Sequence, residues 1–141
     1  MNITENKTVI LQHLSTIHNF LSKAYWCEGI SKELIQKAIE NSLSFAIIVD
    51  EQLVGFARVI TDKATFAYLA DVFIVDSQRG KGLSIKLMDY IQAHPDLQGL
   101  RRFMLATRDA HGLYEKYDFM PVEDAKPFMQ INVPGIYMKA G

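Results

Sequence analysis

The sequence has a single cysteine and no long apolar run, and these two shortages narrow the classes of protein that fit it. Cys27 alone cannot form an intramolecular disulfide or a thiolate metal cluster, so we expect no metal site. No apolar run approaches the roughly 20 residues that cross a bilayer. The N-terminus also lacks a basic region followed by an apolar core. We therefore expect a cytoplasmic protein without a membrane segment or a secretory signal.

The sequence also has no large excess of positive or negative charge. Lys and Arg number 15 against 16 Asp and Glu, for a formal net charge of −1. A basic surface is what nucleic acid and anionic membranes attract, so this balance argues against both partners. The alternative of a nucleic-acid-binding or partner-binding domain would rest on a local basic patch formed by Arg79, Lys81, Arg101 and Arg102. The sequence has no aromatic–basic repeat to support that alternative.

The chain has 141 residues, of which 49% are hydrophobic and 22% charged, which is typical of a globular protein. This length is enough to bury a sizeable core. No repeat, low-complexity tract or linker interrupts it. We expect one domain over residues 1–141.

The spacing of apolar residues predicts an α/β protein with a mixed sheet. Helical spacing predicts a helix over about 8–22 and a second helix that starts at Ser31. Three strands follow, then a helix after Gly82, a strand in RRFMLAT, a short helix over 109–117 and two closing strands around Pro134-Gly135. The order is α-α-β-β-β-α-β-α-β-β, with room for a short N-terminal strand. Antiparallel strands followed by a strand–helix–strand crossover predict a mixed sheet with helices on both faces.

The segment DSQRGKGLS lies between a predicted strand and a predicted helix, and its composition suits a phosphate. Gly80 and Gly82 allow a ligand to approach the main chain closely, and the helix start offers free N–H groups. Arg79 and Lys81 could neutralise a pyrophosphate. The glycine spacing fits neither a Walker loop nor the dinucleotide pattern. The alternative is an ordinary turn with solvated cations.

At this segment the sequence resembles the GNAT superfamily of acyl-CoA-dependent N-acetyltransferases. DVFIVDSQRGKGLSIKLMDYI is similar to the family's acetyl-CoA signature, Gln/Arg-x-x-Gly-x-Gly/Ala, between the fourth strand and the next helix. Arg79 and Gly82 match the first two positions, and Ser84 stands where Gly or Ala is usual.

A second segment, ATRDAHGLYEKYDF, resembles the family pattern Asn-x-x-Ala-x-x-x-Tyr-x-x-x-Gly-Phe. Ala110, Tyr114 and Phe119 fall in register, whereas Thr107 replaces the Asn and Asp118 replaces the Gly. The resemblance covers nearly the whole chain. It implies the GNAT fold and an N-acetyltransferase that moves an acetyl group from acetyl-CoA to a primary amine of a small molecule or a protein. The alternative is an acyl-CoA-binding module without acetyltransfer activity.

The resemblance also implies which residues bind the CoA part of acetyl-CoA. Loop amides would hold the pyrophosphate, and the end of the strand would hydrogen-bond the pantetheine arm. The expected binding residues are Phe73, Ile74, Val75, Arg79, Gly80, Lys81, Gly82, Leu83, Ser84 and Thr107.

The register with the family makes Tyr114 the expected general acid, since a phenol with a pKa of about 10 is protonated at neutral pH. For the base we favour Asp71, a carboxylate inside the apolar strand YLADVFIV, where burial demands a partner or a function. An ion pair with Arg58 is the structural alternative for Asp71. His111, Glu28 and a chain of water molecules are the other candidates for the base.

By the same resemblance, the acyl acceptor approaches over the loop that contains Tyr25, Trp26 and Glu28. The two aromatic residues could line a pocket for an apolar or cationic amine, or they could fill space between helix and sheet. Cys27 is not expected to act as a nucleophile, because direct transfer needs no thiol. The closing strands could extend a sheet across a homodimer, although nothing in the sequence requires one.

Overall fold

The computed structural model describes residues 1–138, which form a five-stranded sheet with helices on both faces. The strands are β1 (Asn2–Thr4), β2 (Leu43–Val49), β3 (Gln52–Thr61), β4 (Phe66–Ile74) and β5 (Arg102–Leu105). The α-helices are α1 (Lys7–Leu11), α2 (Leu14–Leu21), α3 (Lys32–Glu40), α4 (Leu83–Gln92) and α5 (His111–Glu115). Short 3-10 turns occupy Asp76–Gln78, Pro95–Leu97 and Ile136–Met138. Within the described residues, no helix is both long and apolar enough to span a bilayer.

The sheet is mixed, as the sequence predicts, and the strands lie in sequence order from β1 to β5. Strands β1 to β4 pair antiparallel, and β5 lies parallel to β4 after the crossover through α4. Pairing between β4 and β5 covers only Phe66↔Arg102 to Leu69↔Leu105. Beyond Leu69 the two strands separate, and residues 70–74 have no β5 partner on that side.

Side chains alternate between two cores, one on each face of the sheet. In β2, for example, Phe45 and Ile47 belong to one core and Ala46 to the other. Helices α1 to α3 cover the second core, which includes Ile17, Ile39 and Phe56. Helices α4 and α5 cover the first core, whose buried residues include Val59, Leu87, Met88, Ile91 and Tyr114. Both faces of the sheet are therefore buried.

The helix predicted over 8–22 is broken into α1 and α2. His13 leaves helical geometry, with φ −106° and ψ 20°, and precedes the first residue of α2. Ile10 and Ile17 are nevertheless both fully buried, so the break does not change the buried face. The apolar spacing therefore identifies the face correctly but cannot reveal an interruption between two buried positions.

The prediction of two closing strands is wrong for the described part of the chain. Residues 127–138 contain a turn at Pro134-Gly135 and a 3-10 turn, but no strand. A strand needs a neighbour to receive its main-chain hydrogen bonds, and this segment pairs with no strand among residues 1–138. Met129 and Ile131 are 95% and 98% exposed. The predicted second strand ran on to residue 140, and residues 139–140 lie outside the described residues.

Candidate active site

The separation of β4 from β5 opens a cavity of about 740 Å³, which we call the cleft cavity. Its walls are residues 68–72 of β4, residues 105–110 at the end of β5, and the loop after α2. The β4 strand is bulged here, because its register with β3 shifts opposite Ala57 and Asp71 adopts a positive φ of 57°. The cleft therefore arises where β4 bends away from its parallel neighbour.

The predicted phosphate loop follows β4 and forms the start of α4. Gly80 and Gly82 have φ of 78° and 75°, a backbone conformation that residues with a side chain rarely adopt. The space around both is open, because a Cβ at either position would meet nothing within 4 Å. Gly82 is the N-cap of α4 and has no side chain to satisfy the first N–H groups of the helix. An open loop with free donors at the positive end of a helix suits an anionic ligand.

The two cations of the loop lie at the surface beside these donors. Arg79 donates from Nε to the Ile74 carbonyl oxygen at 3.2 Å, and its Nη2 lies 3.1 Å from Asp76 Oδ1. Lys81 Nζ donates to Gln78 Oε1 at 3.2 Å. The Arg79 side chain is 59% exposed, so its pairing with Asp76 is weak and open to competition by a ligand.

Residues 73–75 can offer a ligand only their main chain. The Phe73 ring stacks on Phe20 at a centroid distance of 4.0 Å, and Ile74 is buried in the opposite core. Val75 N donates to the Val54 carbonyl oxygen at 2.8 Å. The side of β4 that faces away from β3 has no β5 partner after Leu69, so main-chain groups are available there. Leu83 packs in the core, and Ser84 is half-buried in the first turn of α4.

Tyr114 is buried in α5 and lines the cleft cavity. Its ring packs edge-on against Phe119 at 6.0 Å. Among residues 1–138, its hydroxyl makes no hydrogen bond, and no side-chain oxygen there is both fully buried and unpartnered. The hydroxyl is therefore accessible to solvent, and Tyr114 lines both the cleft cavity and a second groove beside β5. Burial raises the pKa of Tyr114 above its usual 10, which keeps the phenol protonated at neutral pH.

Thr107 lies at the cleft but also supports α5. Its Oγ1 accepts a hydrogen bond from Ala110 N at 3.0 Å, just before the helix begins. Thr107 thereby performs a local capping task, and it lines the cleft cavity as well.

Asp71 carries the buried charge of the site. Its Oδ2 accepts from Arg58 Nε at 2.9 Å, and its Oδ1 accepts from Trp26 Nε1 at 2.7 Å. The Arg58 and Asp71 side chains are only 16% and 13% exposed. The ion pair that the sequence left open is therefore present and joins β3 to the bulge of β4, and the hydrogen bond from Trp26 ties the loop after α2 to the same bulge.

The aromatic pair of that loop is exposed at the cleft rather than packed between helix and sheet. Tyr25 and Trp26 are 52% and 44% exposed and meet edge-on at 5.1 Å, and both line the cleft cavity. Two of the proposed residues are not brought there: Glu28 is exposed outside the cavity, and His111 faces a different groove.

Cys27 is buried, and burial together with the nearby Asp71 charge raises its pKa to about 12. Its Sγ donates to the Leu21 carbonyl oxygen at 3.2 Å. With this raised pKa the thiol stays protonated at neutral pH. Among the described residues, no cluster of His, Cys, Asp and Glu could hold a metal ion.

Two residues that line the cavity were not predicted from the sequence. The Arg108 guanidinium lies 3.7 Å from the centre of the Tyr25 ring, so it carries a positive charge to the cavity rim. Tyr137 reaches the cavity from the C-terminal end of the described chain. Arg108 lies inside the second family-like segment and could have been noticed there, whereas no local pattern signals Tyr137.

Comparisons with known proteins agree with this geometry. A family model described as an Acetyltransferase (GNAT) domain matches residues 21–140. The chain belongs to the GNAT acetyltransferase family. It is accordingly an acyltransferase, and its five-stranded mixed sheet is that of the GNAT fold.

Individual relatives extend the comparison. A crystal structure described as a candidate GNAT acetyltransferase from Xanthomonas campestris pv. campestris is 48% identical, with a TM-score of 0.93 over 96% of this chain and 95% of that one. A candidate acetyltransferase of Gibberella zeae is 28% identical over 65% of this chain, and the match spans only 63% of that protein. A Clostridium acetobutylicum structure, determined with acetyl-CoA, shares the GNAT fold at 14% identity, with a TM-score of 0.65 over 93% of this chain and 95% of that one.

Proposed function

We propose that the chain is a single N-acetyltransferase domain that moves an acetyl group from acetyl-CoA to a primary amine by direct attack. The observation that carries the proposal is buried Tyr114, whose hydroxyl has no hydrogen-bond partner among the described residues, on the wall of a cleft that opens where β5 separates from β4, the strand that leads into the phosphate-type loop. The acceptor is a small amine or a protein amino group, and the protein is expected to act in the cytoplasm.

The CoA part of the substrate would be held by main-chain groups. The open glycines at 80 and 82, the uncapped start of α4, and the cations of Arg79 and Lys81 suit a pyrophosphate. The unpaired side of β4 at residues 73–75 suits an extended amide-containing chain, and Leu83, Ser84 and Thr107 complete the proposed set. Acetyl-CoA supplies an acetyl group on a thioester, which an uncharged amine can attack.

Asp71 and Tyr114 are proposed to move the two protons of the reaction. An alkylammonium with a pKa of about 10 must lose a proton before its nitrogen can attack, and we assign that proton to Asp71 at the cavity wall. The new C–N bond forms as the C–S bond breaks, Tyr114 gives its proton to the leaving sulfur, and the second proton of the attacking nitrogen passes to the Tyr114 phenolate, which restores the phenol and leaves a neutral amide. The raised pKa of Tyr114 keeps that proton in place until it is needed.

A second role for Asp71 also has direct support. Arg58 and Trp26 each hydrogen-bond one carboxylate oxygen of Asp71, so the carboxylate is held in a fixed position between them. In this role Asp71 orders the wall formed by Trp26, and the amine loses its proton to water. The pH dependence of an Asp71 variant distinguishes the two roles.

The cofactor loop is tested by calorimetric titration with acetyl-CoA. We expect unit stoichiometry for the wild type and at least a tenfold loss of affinity for Gly82→Glu, because the variant adds bulk and negative charge where the pyrophosphate would lie. Gly99→Glu is the matched control: Gly99 also has a positive φ, 70°, and open space, but it lies before β5. Equal affinities for the two variants would show that the loop does not bind CoA.

A further inference from the structure

We propose that the Arg108 guanidinium binds a carboxylate on the acyl acceptor, so that the acceptor is a small zwitterion, a primary amine that also carries a carboxylate. The inference rests on the proposed function, because it names the substrate class of the same cleft. An amino group of a protein chain ordinarily has no free carboxylate beside it, since that carboxyl group forms a peptide bond. The inference therefore selects a small molecule over a protein as the acceptor.

Arg108 has hydrogen-bond donors to spare at the rim of the cleft cavity. It is exposed and lines the cavity, and its guanidinium carbon lies 3.7 Å from the centre of the Tyr25 ring. Within residues 1–138, Arg108 forms no ion pair and its guanidinium donates no hydrogen bond. A cation–π contact uses no acceptor atom, so the N–H donors of the guanidinium remain available. These donors form a planar fork that matches both oxygens of a carboxylate.

A series of contacts holds the guanidinium at this position. Trp26 Nε1 donates to Asp71 Oδ1 at 2.7 Å, which anchors the loop after α2 to β4. The Trp26 ring meets the Tyr25 ring edge-on at 5.1 Å, and Tyr25 in turn supports Arg108. A side chain that is already positioned loses less conformational freedom when its ligand binds. The supported guanidinium is therefore better prepared for a ligand than an arginine side chain that is free in solvent.

The charges that line the cavity suit a ligand with one charge of each sign. The charged residues of the lining are Arg58, Asp71, Arg108 and Asp109. Arg58 and Asp71 form an ion pair at 2.9 Å. Arg108 and Asp109 are exposed and form no ion pair with each other. An amine without an anionic group would add an unopposed positive charge to this balanced lining, whereas a zwitterion keeps the occupied cavity neutral.

The two charges of the acceptor would meet different walls of the cavity. Arg108 lies in the segment after β5, and Asp71 lies at the bulge of β4. Each Asp71 carboxylate oxygen accepts one hydrogen bond and has a lone pair left for an ammonium group. A carboxylate on Arg108 thus directs the amine nitrogen toward the residue proposed to take its proton. The rings of Tyr25, Tyr68 and Tyr114 line the same cavity and would contact the apolar part of the acceptor.

The test uses Trp26, the only tryptophan in the sequence, as a fluorescent reporter in the cavity wall. The wild-type protein, with and without CoA, is titrated with glycine, β-alanine, γ-aminobutyrate and L-phenylalanine, each compared with its own carboxamide. We expect at least one acid to bind about tenfold more tightly than its carboxamide, because only the acid can form the charged pair with Arg108. Release of CoA from acetyl-CoA, measured with the same pairs, should show the same preference in kcat/KM.

Substitutions of Arg108 test whether its guanidinium causes the preference. Arg108→Gln should abolish the preference for acids and leave the binding of carboxamides nearly unchanged. Arg108→Lys keeps the charge without the planar fork, so it should retain part of the preference. Arg101→Gln is the matched control and should behave as the wild type, since Arg101 is exposed just before β5 and lies outside the cavity. Comparing the acid-to-carboxamide ratio among variants cancels the difference in amine pKa between an acid and its carboxamide.

The possible outcomes separate this inference from the proposed function. A wild type that binds no acid more tightly than its carboxamide would overturn the inference, and so would a preference that survives Arg108→Gln. An Arg108→Gln variant that raises KM for acetyl-CoA but not for the amine would also overturn it, because Arg108 would then serve the CoA part. Acid binding that depends on Arg108 without any release of CoA would contradict acetyl transfer and support the carboxylate site.

Discussion

Tyr114 and Tyr117 lie three residues apart, yet their surroundings suit them to different tasks. The Tyr117 hydroxyl is engaged by α4, 2.8 Å from Asp89 Oδ1 and 3.0 Å from the Ile85 carbonyl oxygen, and its pKa is raised to about 12 by burial and by Asp89. The Tyr114 hydroxyl has no such partner among the described residues, and Tyr114 lines the cleft cavity. Register with the family pattern selects Tyr114 as the proposed acid rather than Tyr117.

Replacing Tyr114 by Phe should lower the rate of acetyl transfer about 100-fold or more, since it removes the proposed acid but keeps the ring packed on Phe119. Acetyl-CoA affinity should change little. The rate is measured as release of the CoA thiol with a primary amine as acceptor. Tyr117→Phe is the control, and it should cost about 1 kcal/mol of stability while leaving the rate nearly unchanged. An unaltered rate for Tyr114→Phe would refute its role as the acid.

For Asp71→Asn we expect a loss of about 2 kcal/mol in the free energy of unfolding, because Arg58 loses its buried counter-charge. Asn tolerates the positive φ of this position. If Asp71 is the base, the rate of the variant should rise with pH toward the amine's own pKa, whereas the wild-type rate levels off earlier. A variant whose pH profile keeps the wild-type shape would favour the ordering role.

At the scale of elements, one cluster ties the N-terminal strand to the end of α4. Glu5 follows β1, and its two carboxylate oxygens lie 2.7 Å from His94 Nε2 and 2.9 Å from the Tyr90 hydroxyl. His94 Nδ1 accepts a hydrogen bond from Asp96 N, which leaves Nε2 to donate to Glu5. Nothing in the local sequence pairs residue 5 with residue 94, so only the folded chain reveals this contact.

The cluster predicts a dependence of stability on pH. Burial alone would raise the pKa of Glu5, but hydrogen bonds from His94 and Tyr90, with the charges of His94 and Lys63, lower it below 4.5. A lowered carboxyl pKa contributes stability above about pH 4.5, and that contribution is lost as the pH falls through the folded-state pKa.

We therefore expect Glu5→Gln to reduce the free energy of unfolding by roughly 0.5–1 kcal/mol at pH 7, because Glu5 is partly exposed. The difference from the wild type should disappear near pH 3. Chemical denaturation at both pH values measures it. Glu123→Gln, at an exposed residue with no hydrogen bond or ion pair to a described residue, should have no effect at either pH. A Glu5→Gln difference that is equal at pH 3 and pH 7 would exclude the proposed linkage.

The elements themselves follow largely from local patterns. Ser31 caps α3 through a hydrogen bond from Leu34 N at 3.2 Å, as its position before an apolar-periodic segment indicates. The glycines at 80 and 82 adopt the positive φ values for which only glycine is well suited. The break at His13 and the absent closing strands could not be predicted this way, because both depend on contacts between segments distant in sequence.

At the scale of the whole molecule, the residues of the candidate site come together only through the arrangement of the strands in the folded sheet. Trp26 and Asp71 are 45 residues apart and hydrogen-bonded. Tyr114 joins them because β5 leaves β4 after Leu69. Tyr25 and Trp26 illustrate the limit of local reasoning: aromatic residues are usually buried, yet these two stay exposed because the cleft opens beside them.

The sequence by itself determined the alternating and helical apolar patterns, the loop at 79–84 and the family register of Tyr114. These are properties of neighbouring residues, so short-range sterics and burial preferences suffice to read them. Only the tertiary structure decided that Asp71 pairs with both Arg58 and Trp26, that Glu28 lies outside the cleft, and that residues 129–133 have no strand partner within the described part of the chain. Those outcomes depend on which distant surfaces meet and on how much water they exclude, and no local pattern encodes that.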